Sequence, residues 1–282
     1  MTSSRQNQTN PTPNPEGRVL VVAGSDSGGG AGIQADIKAI MATGGYAMTA
    51  ITAITVQDTT GVHDVHPVPL NTVRGQMAVC LKDIGADAIK TGMLGTADLV
   101  ELVAETLDER APRAPRIVDP VMIASSGDRL INERAVDALI SLLIPGTALL
   151  TPNAPEAEVL SGKSVDGVNG QRRAAEILLN RGAKGVLVKG GHIPGRIITD
   201  VLQTEYGEWL LESERIVTTS THGTGCTLAS AIASLVAQGQ PIDEAVEKAR
   251  DFLHGAIQHA KGFGSGHGPV HHGWVIDRRE EE

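Results

Sequence analysis

The sequence predicts an α/β fold, a single domain whose central, mostly parallel sheet is flanked by helices on both faces. Three observations predict it. Short apolar runs alternate with segments that carry apolar residues at helical spacing, which is the pattern of repeated βα units. The apolar runs show little polar alternation, as strands covered on both faces must. No composition break or long linker interrupts residues 18–275, so a chain of 282 residues reads as one large domain.

Arg18-Val19-Leu20-Val21-Val22-Ala23 is the first strand, ending at Gly24, and its unbroken apolarity places it in the middle of the sheet. From Gly32, residues Ile33, Ile37, Ile40 and Met41 mark one face of a helix that stops at Gly44-Gly45. Further strands are predicted at 47–56, 87–90, 116–118, 147–151, 185–189 and 198–203. Helices are predicted near 72–83, 96–108, 133–143, 154–160, 170–181, 223–237 and 242–260. Residues 198–203 and 208–211, joined by Glu205-Tyr206-Gly207, read as a hairpin that gives the parallel sheet an antiparallel edge. Residues 1–17 are expected to be a disordered N-terminal tail and 276–282 a charged C-terminal tail.

Composition removes several function classes. Lys+Arg of 24 against Asp+Glu of 33 gives a net charge of −9, a field that repels polyphosphate backbones and anionic membranes. With 2 Trp, 2 Tyr and 2 Phe the chain builds no stacking surface, so no nucleic-acid partner is expected. No run approaches the ~20 apolar residues of a membrane span, and the N-terminus lacks the apolar core of a secretory signal. The two cysteines, Cys80 and Cys226, show no metal or disulfide spacing, which favours a cytoplasmic setting.

Ligands of open α/β sheets bind beyond the carboxyl ends of the strands, so chemistry is sought in those loops. The first, Gly24 to Gly32, holds five glycines and runs into a helix start, which suits close backbone approach to a ligand or a tight turn without one. It lacks the Gly-x-Gly-x-x-Gly spacing of a dinucleotide site, and Asp36, one turn into the helix, could simply answer the helix dipole. In the second, Thr221 to Thr227, consecutive N–H groups at a helix start form an anion hole. There Cys226 is either a general base with its pKa lowered by the helix terminus or a small buried side chain.

Asn153 and Glu156 are placed either to hold a hydrated Mg²⁺ or to cap the helix they open. Lys189-Gly190-Gly191-His192 puts a cation beside two flexible residues, suitable for a phosphate, and Asp119-Pro120-Val121-Met122 ends another strand. Together these point to phosphoryl transfer over any hydrolase triad. Gly162-Lys163-Ser164 only imitates the end of a Walker loop, because Ala157 stands where glycine is needed. Ser125-Ser126-Gly127-Asp128 is expected to be a mobile flap. His267, His271 and His272 are read as packing and capping residues and not as metal ligands. Cys80 belongs to the core.

Eight segments carry a family resemblance: 23–36, Val56-Gln57-Asp58-Thr59-Thr60-Gly61-Val62, Lys90-Thr91-Gly92-Met93-Leu94, Asp119-Pro120-Val121-Met122, 151–156, Lys189-Gly190-Gly191-His192, His222-Gly223-Thr224-Gly225-Cys226 and 266–272. In order across residues 18–273, they resemble the hydroxymethylpyrimidine/phosphomethylpyrimidine kinases of thiamine biosynthesis, in the ribokinase-like superfamily. The departure is Ser27-Gly28-Gly29-Gly30, where the family usually shows Pro-Ser-Gly-Gly.

The resemblance implies a ribokinase-like fold and two ATP-dependent steps: phosphorylation of 4-amino-5-hydroxymethyl-2-methylpyrimidine, then of its monophosphate. It implies ATP and Mg²⁺ as cofactors and a homodimer. Carried over by motif, Gly24, Asp36, Gln57, Met93 and Val121 would line the pyrimidine pocket, and Gly223, Thr224, Gly225 and Cys226 the catalytic anion hole. Cys226 would take the proton from the hydroxyl, Asn153 and Glu156 with Asp119 would organise Mg²⁺, and Lys189 would touch ATP phosphates. Two alternatives stand beside this: a pyridoxal or pyridoxine kinase of the same superfamily, and a vitamin-sensing binding module that has lost transfer.

Overall fold

The computed structural model describes residues 17–123 and 130–277. The expected flap and most of both predicted tails lie outside them. The chain runs β1 (Arg18–Ser25), α1 (Gly32–Ala42), β2 (Tyr46–Gln57), β3 (Val62–Pro67), α2 (Leu70–Asp83), β4 (Ala88–Thr91), α3 (Ala97–Arg110) and β5 (Arg116–Val118). It continues with α4 (Glu133–Ala138), β6 (Leu149–Leu150), α5 (Ala154–Ser161), α6 (Val168–Asn180) and β7 (Gly185–Val188). Last come β8 (Ile197–Thr204), β9 (Gly207–Glu214), α7 (Thr224–Ala237), α8 (Ile242–Gln258) and α9 (Trp274–Asp277).

The strands form one sheet in the order β3-β2-β1-β4-β5-β6-β7-β8-β9. From β2 to β7 neighbouring strands are parallel, while β3 at one edge and the β8–β9 pair at the other are antiparallel. β1 lies between β2 and β4, where Val21 pairs with Thr49 on one side and Lys90 on the other.

Its alternate side chains feed two separate cores. Leu20 and Val22 pack in a layer that includes Met77, Val103, Leu160 and Leu178 from α2, α3, α5 and α6. Val19, Val21 and Ala23 pack in the opposite layer with Ile40, Ile232 and Val246 from α1, α7 and α8. Both faces being buried, the strand needs apolar residues throughout, and each contributes about 1.5–3 kcal/mol on burial.

The hairpin forms as expected, with Thr204 and Gly207 closing it. β3 was not anticipated: its residues are largely exposed and polar, and it exists by pairing with β2. The helix predicted over 133–143 changes to a π-helical turn at Leu139–Leu143. Gly162 ends α5 in the left-handed conformation, φ 70°, so the Gly162-Lys163-Ser164 segment is the expected turn. No helix among the described residues is long and apolar enough to cross a membrane.

Because β1, β4, β5, β6 and β7 are parallel, their carboxyl ends and the loops after them share one edge of the sheet. That edge carries the site.

Candidate active site

A cavity of about 1060 Å³ opens along this edge. Twelve of the thirteen predicted site residues line it: Gly24, Gln57 and Met93 with Val121 towards one end, Asp119, Asn153, Glu156 and Lys189 along the strand ends, and Gly223, Thr224, Gly225 and Cys226 at the start of α7. The wall also includes Ile198, Ile216, Leu253 and Ile257 together with Arg250 and His254.

Asp36 is the exception. Its side chain is fully buried and absent from the cavity wall. Oδ1 accepts from Lys90 Nζ at 2.8 Å and from Ser230 Oγ at 2.6 Å, while Oδ2 has no hydrogen-bond partner. The carboxylate thus answers a buried lysine below the cavity and neither the helix dipole nor a ligand at the wall. Lys90, in the Lys90-Thr91-Gly92-Met93-Leu94 segment, is a fully buried charge. Burial alone would lower its pKa, but Asp36, Cys226 and Asp119 outweigh that and raise it, so the lysine keeps its proton.

The glycine-rich loop is wound around one carboxylate. Asp26, nearly buried at the loop's start, accepts from the N–H groups of Gly28 (2.8 Å), Gly30 (3.0 Å) and Ala31 (2.8 Å). It also pairs with His222 Nε2 at 2.8 Å. Burial opposes the charge, but the bonds from His222, Ala31 and Gly28 hold the carboxyl below its usual range. These loop amides therefore serve Asp26, which the sequence reading did not separate from a ligand-facing turn.

The second loop meets the first without a gap. Gly223, at φ +77°, directly precedes α7, and a Cβ there would collide with the Gly30 carbonyl. Only glycine fits both the left-handed backbone and the contact. From Thr224 the first-turn amides of α7 have no intrahelical acceptor, and about half a positive charge collects there.

Cys226 departs from the expected direction. Burial pushes its thiol up to about 12; Lys90 and the Gly32 amide pull it down, and Asp36 and Asp119 push it further up. The helix terminus does not overcome burial between two carboxylates. Both cysteines are free thiols, and Cys80 packs against the core as expected.

At the third strand-end cluster, Lys189 Nζ lies 3.1 Å from Asp119 Oδ1, which also accepts from Thr151 Oγ1 at 3.1 Å. Asn153 and Glu156 form a reciprocal capping box: Asn153 Oδ1 accepts from Glu156 N at 2.9 Å, and Glu156 Oε2 accepts from Asn153 N at 2.8 Å. Burial raises Glu156 to about 7, with Lys189 opposing and Asp119 adding to the rise. The chemistry suits a divalent cation, because two nearly buried carboxylates share one lysine. Among the described residues, no group of three or more His, Cys, Asp or Glu could enclose a metal, so such an ion would keep water or ligand oxygens.

The C-terminal histidines each meet a side-chain partner; none of their rings caps a described helix, and His267 is exposed at the cavity wall. His267 Nδ1 is 3.3 Å from Thr221 Oγ1, His271 pairs with Asp277 at 2.9 Å, and His272 Nε2 is 2.9 Å from Thr227 Oγ1.

Known proteins resemble this chain in sequence and fold. The sequence profile described as Phosphomethylpyrimidine kinase matches residues 26–271. The hydroxymethylpyrimidine/phosphomethylpyrimidine kinase of Bacillus subtilis is 46% identical over 256 residues, covering 90% of this chain and 94% of that protein. Among solved structures, Bacillus subtilis pyridoxal kinase in an ADP complex superposes with a TM-score of 0.86 at 36% identity, over 92% of this chain and 98% of that one. A phosphomethylpyrimidine kinase from Clostridium difficile 630 gives 0.76 at 39% identity, over 85% of this chain and 99% of that one. With a profile that spans almost the whole domain and a relative identical at nearly half its positions, the chain belongs to the phosphomethylpyrimidine kinase family.

Proposed function

We infer that the cleft performs two successive phosphorylations of one ring, with the pyrimidine at the Gln57 end, the nucleotide at the Leu253–Ile257 end and the anion hole between them. The observation that carries this reading is that one cavity is lined together by Gln57 and Met93, by Leu253 and Ile257, and by the residues that open α7. The alcohol oxygen attacks the γ-phosphorus of ATP, the bond to the bridging oxygen breaks and ADP leaves; in the second step a phosphate oxygen of the bound monophosphate attacks. Little covalent chemistry falls to the protein, so positioning and charge stabilisation dominate.

Gln57 orients the ring through its amide while Met93 and Val121 supply apolar contact. Gly223, Thr224 and Gly225 line the cavity at the start of α7, where their amide N–H groups would stabilise the charge that develops on the moving phosphoryl, Thr224 turning from the Thr221 carbonyl 3.4 Å away. Cys226, reacting through its thiolate, takes the alcohol proton. Lys189 lies beside Gly225, where a Cβ would stand 3.4 Å from its Nζ, and meets the phosphates from the strand side. Glu156 and Asp119, with Asn153, would hold Mg²⁺ through water, and the ion would supply charge neutralisation on the phosphates. A homodimer and a cytoplasmic setting belong to this proposal, and sedimentation of the full chain decides the first.

The test is a product assay with the pyrimidine alcohol, ATP and Mg²⁺, resolved so that mono- and diphosphate separate. Both products are expected, and neither without Mg²⁺. Solved pyridoxal kinases superpose closely, which favours a second reading on vitamin B6 alcohols. Faster turnover of pyridoxal than of the pyrimidine would replace the substrate proposed, and no ADP release from either would leave a binding module.

A further inference from the structure

The Asp26–His222 pair is buried, spans 196 residues of sequence and has no part in the chemistry above. It sits where the glycine-rich loop and the loop before α7 touch. On one side Asp26 fixes the glycine-rich loop through three amide bonds. Ser27 of that loop is bonded to Gln57 twice, donating from Oγ to its carbonyl at 2.6 Å and accepting from its N–H at 2.8 Å. On the other side His222 is the residue before Gly223, and its N–H donates to the Gly268 carbonyl at 3.0 Å.

The pair also constrains what Gln57 offers a ring. Asp26 is an ionised acceptor, so His222 Nε2 carries the hydrogen between them. That nitrogen cannot then accept from Gln57 Nε2, which lies 3.5 Å away. Gln57 Oε1 lies 3.1 Å from Thr55 Oγ1, whose single hydrogen it shares with the Ser25 carbonyl at 2.9 Å, and the amide NH₂ is left for an acceptor in the cavity. The loops cannot part at this point without moving Gly223, whose α-carbon rests on the Gly30 carbonyl.

We propose that Asp26 and His222 are positioning residues that couple the ring end of the cleft to the anion hole, so that filling either end prepares the other. A ring nitrogen that accepts from Gln57 holds β2 against Ser27, the loop transmits this to Asp26, and His222 sets Gly223 and the amides behind it. Coupling of this kind is reciprocal. The proposal rests on the reading that pyrimidine occupies the Gln57 end.

The experiment is calorimetry on the full chain: the dissociation constant of the pyrimidine alcohol, without and with a saturating non-hydrolysable ATP analogue and Mg²⁺. Wild type is expected to bind pyrimidine at least fivefold more tightly in the presence of the analogue. Asp26→Asn, which keeps the shape and removes the charge, and His222→Ala should bring that ratio below twofold, and His222→Gln, which keeps an N–H donor, should recover part of it. Where His222→Ala does not fold, Asp26→Asn and His222→Gln still decide. No coupling in wild type, or a wild-type ratio in the folded variants, overturns the proposal. If Gln57→Ala leaves pyrimidine binding unchanged, the placement of the ring has failed instead.

Discussion

Replacing Cys226 by alanine removes the thiol proposed to take the alcohol proton at the anion hole, and the structure sets how the rate should depend on pH. With its thiol at about 12, the side chain sits about 4.5 units below its pKa at pH 7.5, so forming the thiolate costs ~6 kcal/mol at about 1.36 kcal/mol per unit. Below a pKa the ionised fraction grows tenfold per unit as pH rises. A step that passes through the thiolate should therefore accelerate about 100-fold between pH ~7.5 and ~9.5. Lys90 and Lys189, both raised above their ordinary values by neighbouring carboxylates against the pull of burial, stay protonated over that range and add no slope. Cys226→Ala should lose ~10²–10⁴ in rate and show no rise with pH. Single-turnover rapid quench with Mg-ATP and saturating pyrimidine measures both, and calorimetry should find pyrimidine binding intact. A flat wild-type profile, with the alanine variant near normal, would refute proton transfer to sulfur and leave catalysis to positioning and the amides of α7.

Gln57→Ala should weaken pyrimidine binding by ~1–3 kcal/mol by calorimetry, and an unchanged dissociation constant contradicts the amide-to-ring contact. Lys90→Met strands Asp36 as an uncompensated buried charge and should cost ~3–5 kcal/mol in urea unfolding, whereas Lys90→Met combined with Asp36→Leu should recover most of it. Equal loss in the single and double variants would show that the pair is not what holds β4 to α1.

The fold was legible where burial leaves a periodic trace. β1 reads as a central strand because both its faces are covered, and the β8–β9 hairpin because Glu205-Tyr206-Gly207 separates two short runs that carry apolar residues. β3 left no such trace: His63, Asp64 and His66 face solvent, and an edge strand stabilised by pairing need not be apolar. β6 is only two residues long, held between β5 and β7, and its ends are set by those neighbours more than by its own sequence.

The site was legible at the level of loops, since every predicted strand-end motif opens onto one cavity. What failed was inference from local context alone. A helix start argues for an acidic Cys226, but burial pushes the thiol the other way, and Asp36 and Asp119, which reach it from α1 and the end of β5, add to the rise that Lys90 opposes. Asp36 reads as a residue one turn into a helix, and its actual partners, Lys90 and Ser230, lie 54 and 194 positions away. Asn153 and Glu156 admitted two readings, cap or metal, and the capping box satisfies the first without excluding the second. The spacing that serves a cap is the spacing that would serve a hydrated ion.

The buried charges make that last overlap intelligible. Asp26 is answered by three amides and His222, Asp36 by Lys90, and Asp119 by Lys189 and Thr151. Glu156 is left with backbone donors and a share of the same Lys189, and burial lifts it to about 7. It is the one carboxyl of the four whose charge is not matched by a side chain of its own. A triphosphate entering this cleft would meet lysines already committed to carboxylates and Arg215, whose guanidinium donates to the carbonyls of Gly191, Ile193 and Gly195, and a cation brought with the nucleotide or a proton at Glu156 would offset the rest of its charge. An acidic protein can bind ATP here because the cation would arrive with the nucleotide, and a capping glutamate with no ion-pair partner of its own is where the protein would feel it.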